Sequence, residues 1–154
     1  MSGVFLIVSN FDDMKIQNVL QTTKGGYPHV TLCYTGRKVE EPKLVAIGAL
    51  CMQKITAGGS RKLTLNNVMV NKFFEEKTGK DRYDVLIELD QASIQQINEL
   101  REWAIPQDAV DKANMRPPHV THSIHYDAQS AEQTAAALQT SIPAIVFITG
   151  FTID

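Results

Sequence analysis

The sequence predicts an α+β protein made of a duplicated unit with pseudo-twofold, bilobal form: two antiparallel sheets with outer helices around a central cleft. Three observations carry that expectation. Apolar residues alternate at strand spacing in some stretches and recur at helical spacing in others, in the order strand, helix, strand, helix, strand, and that order is traversed twice. The middle strand of each pass opens with the same four residues, Pro28-His29-Val30-Thr31 and Pro118-His119-Val120-Thr121. The chain has 154 residues, 44% of them hydrophobic, enough for one substantial core but not for two. The two passes, about 1–75 and 80–154, are therefore expected to be lobes of one domain.

In the first pass, residues 4–8 (Val-Phe-Leu-Ile-Val) form an apolar run that suits a strand buried on both faces. Ile16, Val19 and Leu20 then mark a short helix opened by Asp12-Asp13 and closed by Gly25-Gly26. Pro28 pushes Tyr27 toward extended geometry, so residues 29–34 read as the second strand. Pro42 sits in the first turn of a helix striped by Leu44, Ile47, Leu50, Cys51 and Ile55 and ended by Gly58-Gly59. A third strand spans about 62–70. Its apolar parity slips at Asn66-Asn67, which signals a bulge or a local turn. The polar stretch 71–82, containing Thr78-Gly79-Lys80, reads as an exposed loop or hairpin.

The second pass repeats the order. Residues 83–89 are a strand, 93–103 a helix carrying Ile94, Ile97, Leu100 and a core Trp103, and His119 begins the second motif strand. An alanine-rich helix over 128–138 and a β-rich run over 145–153, behind Pro143, complete it.

Charge narrows the function classes. Fifteen Lys+Arg against seventeen Asp+Glu leave a net charge of −2, so no broad basic face for long nucleic acid is expected, and a nucleic-acid ligand should be small. Cys33 and Cys51 lie in apolar runs, as core thiols do. The first residues lack the basic region of a signal peptide and no apolar run approaches ~18 residues. A soluble, cytoplasmic protein without membrane attachment, monomeric or weakly associating, is expected.

The chemistry sits in the repeated motif. On a strand, His29 and Thr31 share a face, with α-carbons about 6.7 Å apart, so an imidazole and a hydroxyl converge on one tetrahedral anion. His119 and Thr121 repeat the arrangement. If the halves pack face to face, one imidazole takes a proton from an attacking oxygen and the other gives one to a leaving oxygen, while the threonines hold the non-bridging oxygens of a phosphate. An unperturbed pKa of about 6.5 suits histidine to both roles. No metal or other cofactor is needed. His119, His122 and His125 are spaced as H-x-x-H-x-x-H, but on a strand His122 faces away from His119, and His125 lies about 20 Å beyond it. His122 is expected to be packed and hydrogen-bonded. Strand parity places Cys33 and Ser123 on the face of the motif.

Pro28-His29-Val30-Thr31-Leu32 and Pro118-His119-Val120-Thr121-His122 resemble the paired signatures of the two-histidine (2H) phosphoesterase superfamily, and the resemblance spans the chain. It implies a bilobal α+β fold, metal-free cleavage of phosphodiesters, and catalytic roles for His29, Thr31, His119 and Thr121. The context Gly25-Gly26-Tyr27-Pro28 through Tyr34 is similar to the branch by which T-even-like phages degrade the cyclic oligonucleotide signals of CBASS immunity. That implies a small cyclic di- or trinucleotide as partner, opened at a 3′,5′ linkage by the adjacent ribose 2′-OH. Two alternatives stay open: cleavage of RNA 2′,3′-cyclic phosphates or 2′,5′ bonds by the same tetrad, and a non-catalytic sponge for cyclic nucleotides. The family's last motif position is small or aliphatic, as Leu32 is, and His122 departs from it.

Four further residues are candidates for substrate binding. Phe74, with Phe73, stands among Lys72, Lys77, Lys80 and Arg82 in the polar stretch, a composition that suits a mobile lid stacking on bases. Tyr27 and Arg116 sit at the mouths of the two motif strands, where Arg116 can neutralise a second phosphate. Glu88 interrupts an apolar strand and either orients a histidine, reads a base edge, or lies at a solvated edge.

Overall fold

The described strands and helices fall where the apolar spacing predicts them. The computed structural model describes residues 2–9, 28–35, 38–58, 61–104 and 116–153. In chain order these form β1 (Ser2–Ser9), β2 (His29–Thr35), α1 (Glu41–Ala57), β3 (Lys62–Glu75), β4 (Lys80–Leu89), α2 (Gln91–Ala104), β5 (His119–His125), α3 (Ala128–Gln139) and β6 (Ala144–Ile153). The helix expected over 12–25 lies outside the described residues.

All six described strands are antiparallel to their neighbours and close into one ring, β1-β2-β5-β4-β3-β6. The α+β class and antiparallel pairing are as expected, but the strands form one ring and not two sheets. Closure comes from seams between the halves: β1 with β6, β3 with β6 over Lys62–Leu65, and β2 with β5 at the single pair Val30↔Val120. Exchanging the halves, so that β1, β2 and β3 swap with β4, β5 and β6, maps this neighbour order onto itself. Duplication is thus written in the topology, and the β2–β5 seam is its shortest join.

One face of the ring makes the core. Val4, Leu6, Val8, Val30, Leu63, Leu65, Val85, Ile87, Val120, Val146 and Ile148 are buried there together with Leu44, Ile47, Cys51 and Ile55 of α1 and Ile97, Leu100 and Ala104 of α2. Fully burying each such side chain contributes about 1.5–3 kcal/mol. β1 alternates instead of being buried on both faces: Phe5, Ile7 and Ser9 are only partly covered, because their side of the ring faces away from the helices. Leu50 of α1 is exposed, and Gly48 takes its place on the buried stripe. A Cβ at Gly48 would lie 2.2 Å from the Phe151 ring, so the missing side chain lets β6 approach the helix. Trp103 is partly buried against the core.

The helix starts obey local capping rules. Asp127 accepts from Ser130 N at 3.0 Å ahead of α3, and Asp90 accepts from Ser93 N at 2.8 Å ahead of α2. The stretch 71–82 is a hairpin whose strands run almost to its tip, turning through residues 76–79 with Gly79 at φ +70°. The parity slip at Asn66-Asn67 is a register shift between Leu65 and Asn67. Among the described residues no helix is long and apolar enough to cross a membrane.

Candidate active site

The two motif strands are neighbours. Val30 and Val120, the pair that joins them, are both buried in the core. The alternation of a strand therefore turns His29, Thr31, His119 and Thr121 to the opposite side, where all four line one cleft of about 390 Å³. Antiparallel register about Val30↔Val120 sets His29 beside Thr121 and Thr31 beside His119. Each imidazole thus has its own threonine along the strand and the other half's threonine across the seam.

Both motif strands bulge immediately after the threonine. Phe5 pairs with Thr31 but Val4 with Cys33, leaving Leu32 as the extra residue; Leu86 pairs with Thr121 but Val85 with Ser123, leaving His122 as its counterpart. The bulge reverses parity beyond it. Cys33 and Ser123, expected on the motif face, point the other way: Cys33 is buried in the core, where desolvation pushes its thiol up to about 11, and Ser123 is buried within 2.7 Å of His125 Nε2. The same reversal brings Tyr34 into the cleft lining.

The imidazoles have different surroundings. His119 Nδ1 lies 2.8 Å from the Pro117 carbonyl oxygen, which can only accept, so Nδ1 carries a proton and Nε2 is the nitrogen left for chemistry. Burial lowers the pKa of His119, and the guanidinium charges of Arg116 and Arg101 lower it further against the raising effect of that hydrogen bond. His29 stands edge-on to Phe5, ring centroids 5.1 Å apart, and Phe5 makes a second edge contact with Tyr34 at 5.7 Å.

Among the described residues three arginines line the cleft, Arg82, Arg101 and Arg116, against one carboxylate, Asp84. A chain of net charge −2 thus presents a cationic pocket, which favours anions. Arg82 is held bidentately by Asp84 at 2.8 Å and by Glu75 at 2.8 Å, and its guanidinium lies 4.4 Å over the Phe73 ring. Arg101 reaches the same cleft from α2. Arg101 and Asp84 were not singled out from sequence; alternation along β4 through Arg82, Asp84 and Leu86 was the available signal for Asp84.

The residues expected to bind substrate are placed unequally. Arg116 lines the cleft. Phe74 does not: it is 60% exposed, while its neighbour Phe73 turns inward, because the pair lies on strand β3 and not in a mobile loop. Glu88 is paired with His119 in the β4–β5 register but lies outside the lining and accepts from Asn67 Nδ2 at 3.2 Å. Tyr27 lies outside the described residues. His122 is packed, but among the described residues its buried Nδ1 has no hydrogen-bond partner, contrary to expectation. His125 bonds Ser123 and Ser130, so the three histidines of H-x-x-H-x-x-H occupy three separate surroundings.

Comparison with known proteins adds fold likeness. No family model and no curated protein matches the sequence. A solved structure of Kluyveromyces marxianus Usb1 with uridine monophosphate is similar to this chain with a TM-score of 0.51 at 14% identity, covering 92% of this chain and 81% of that one. A further structure of Kluyveromyces marxianus Usb1 gives a TM-score of 0.48 at 13% identity over 93% and 82% of the two chains. The first likeness shows a shared fold.

Proposed function

We propose that this protein is a metal-independent phosphodiesterase of the 2H type that opens 3′,5′ linkages of small cyclic oligonucleotides, in the manner of a phage enzyme that removes CBASS signals from the infected cell's cytoplasm. The observation that carries the hydrolase reading is the convergence of two His-x-Thr pairs, from the two halves of the chain, on one cationic cleft. A cleft of about 390 Å³ falls among small-ligand sites. The cyclic oligonucleotide substrate rests on the sequence context of the first motif.

In this reading His119 is the base. Its proton sits on Nδ1, bound to Pro117, and its lowered pKa keeps Nε2 unprotonated at neutral pH. Nε2 takes the proton of the ribose 2′-OH as the 2′-O–P bond forms; the P–O5′ bond breaks, and His29, as imidazolium, protonates O5′. A 2′,3′-cyclic phosphate and a free 5′-hydroxyl result. Thr31 and Thr121 donate to the non-bridging oxygens as charge grows on them. Phe73, with Arg82 over one face, offers a planar surface for a base.

A second reading, cleavage at RNA ends, draws support from the fold likeness to a protein solved with uridine monophosphate. Mass spectrometry of products from cyclic di- and trinucleotides and from RNA with 2′,3′-cyclic phosphate ends, with EDTA present throughout, separates the two. Linear products carrying a 2′,3′-cyclic phosphate are expected from the cyclic panel. Intact cyclic nucleotide recovered from the denatured complex would leave the sponge.

A further inference from the structure

Two of the guanidinium groups in the cleft are embedded in opposite ways. Arg82 is neutralised: Asp84 and Glu75 both lie 2.8 Å from its nitrogens. Arg101 is more deeply buried, with 8% of its surface exposed, and is held differently. Nε donates to the Leu32 carbonyl at 3.1 Å, Nη1 to the Arg116 carbonyl at 2.6 Å and Nη2 to the Thr31 carbonyl at 2.8 Å. Among the described residues no carboxylate forms an ion pair with it. Carbonyl oxygens orient a guanidinium without cancelling its charge.

A buried charge without a counter-charge is costly, and removing the solvent lowers the pKa of Arg101, although a guanidinium keeps its proton. The arrangement makes sense where an anion completes it. Among the described residues three of the five N–H groups of Arg101 are used, all on carbonyls, which leaves two without a partner there. The carbonyls belong to Thr31 and Leu32 of β2 and to Arg116 just ahead of β5, the strands that share a single registered pair. Arg101 therefore sits behind the seam that carries both His-x-Thr pairs, on the cleft's wall.

We propose that Arg101 is the phosphate-binding cation of the cleft, an ionic partner that the protein leaves for the ligand's phosphoryl group, while Arg82 serves the end of the cleft where no net charge is offered. The assignment rests on the reading of the cleft as a phosphodiester site, but it predicts binding of plain phosphate whether or not anything is cleaved. The sequence conceals the residue, because position 101 follows the Ile97 and Leu100 stripe of a helix and reads as a solvated neighbour of the core.

The test is titration of the full chain with inorganic phosphate, followed by the amide resonances of Thr31 and Thr121. Arg101→Gln keeps a donor for the carbonyls and removes the charge; Arg101→Lys keeps the charge and changes the fork. Arg101→Gln should weaken phosphate binding by at least about tenfold, the scale of one charge-assisted hydrogen bond, while Arg101→Lys recovers most of that loss. Arg61→Gln, on an exposed residue, controls for net charge. Wild-type affinity in a folded Arg101→Gln protein would overturn the proposal, as would equal losses in both variants, which would mark a purely structural staple. Should Arg101→Gln fail to fold, the Arg101 Nε–H resonance of the wild-type protein must move on phosphate saturation, and a static resonance refutes the assignment. Phosphate binding through Arg101 without turnover of any phosphodiester would sink the hydrolase reading alone; turnover with phosphate affinity unmoved in Arg101→Gln would sink this inference alone.

Discussion

β2 and β5 present the same motif, the same bulge after it and the same pair of cleft-facing side chains, yet the walls around their histidines differ. His29 lies against the edge of an aromatic cluster, Phe5 and Tyr34. His119 is anchored to a main-chain carbonyl, lies near two guanidinium charges and has its pKa lowered by burial. Repetition supplies the positions, and in the proposed mechanism divergence of the neighbours supplies the roles. Divergence favours an acid–base pair, since surroundings that differ hold the two imidazoles preferentially in opposite protonation states.

The largest expected effect breaks both halves of the comparison at once. His119→Ala and His29→Ala should each lower turnover by about 10²–10⁴, with the fold retained by circular dichroism. The comparison sharpens on a substrate whose leaving group needs no protonation, such as a p-nitrophenyl phosphodiester with a neighbouring 2′-hydroxyl. There His29→Ala should recover most of its loss and His119→Ala should not. Equal behaviour of the two variants on that substrate would reverse or erase the assignment of base and acid.

A smaller effect tests the half of the site that the two strands share. Thr31→Val and Thr121→Val remove hydroxyls from equivalent places, and each should reduce kcat by on the order of a hundredfold with KM little changed, if they stabilise charge only in the transition state. A loss confined to KM would instead assign them to ground-state binding. The pH profile comes next. The limb of kcat/KM that falls toward acid reports protonation of the base, and burial lowers the His119 pKa, so this limb should lie below the ordinary imidazole value of about 6.5. A limb at or above that value would exclude His119 as the base.

The paired motif was legible because it appears twice: repetition of Pro-His-Val-Thr within a repeated order of elements brought the four side chains together on paper as the ring does in space. What alternation alone could not show was the end of alternation. Cys33 and Ser123 were misplaced because a bulge follows each threonine, and nothing in Leu32 or His122 announces an unpaired residue. Phe73 and Phe74 were read as a loop because the surrounding residues are polar; in the hairpin Lys72, Phe74, Lys77 and Lys80 are exposed while Phe73 and Arg82 line the cleft. Arg101 escaped because a single charge beside a helical stripe is ordinarily solvated, and only the tertiary arrangement of three carbonyls shows otherwise. Closure into one ring depends on seams between residues far apart in the chain, which periodicity does not encode.

The bulge residues give the smallest and most specific contrast. Leu32 is fully buried, whereas its counterpart His122 buries an Nδ1 that has no hydrogen-bond partner among the described residues. An unsatisfied buried polar atom costs about 1–3 kcal/mol, so His122→Leu, which makes the second bulge resemble the first, should raise Tm by roughly 2–4 °C for each kcal/mol recovered. The gain should grow in acid. Burial lowers the folded-state pKa of His122, so the unfolded chain binds more protons, and stability present above about 6.5 is lost as pH falls through the folded value. His122→Leu removes that loss and should flatten Tm against pH below 6.5, while the contribution of His119 persists in both proteins. Unchanged acid sensitivity in His122→Leu would mean that the second bulge tolerates its imidazole without an electrostatic penalty, and the contrast between the two motif strands would then be confined to the cleft face.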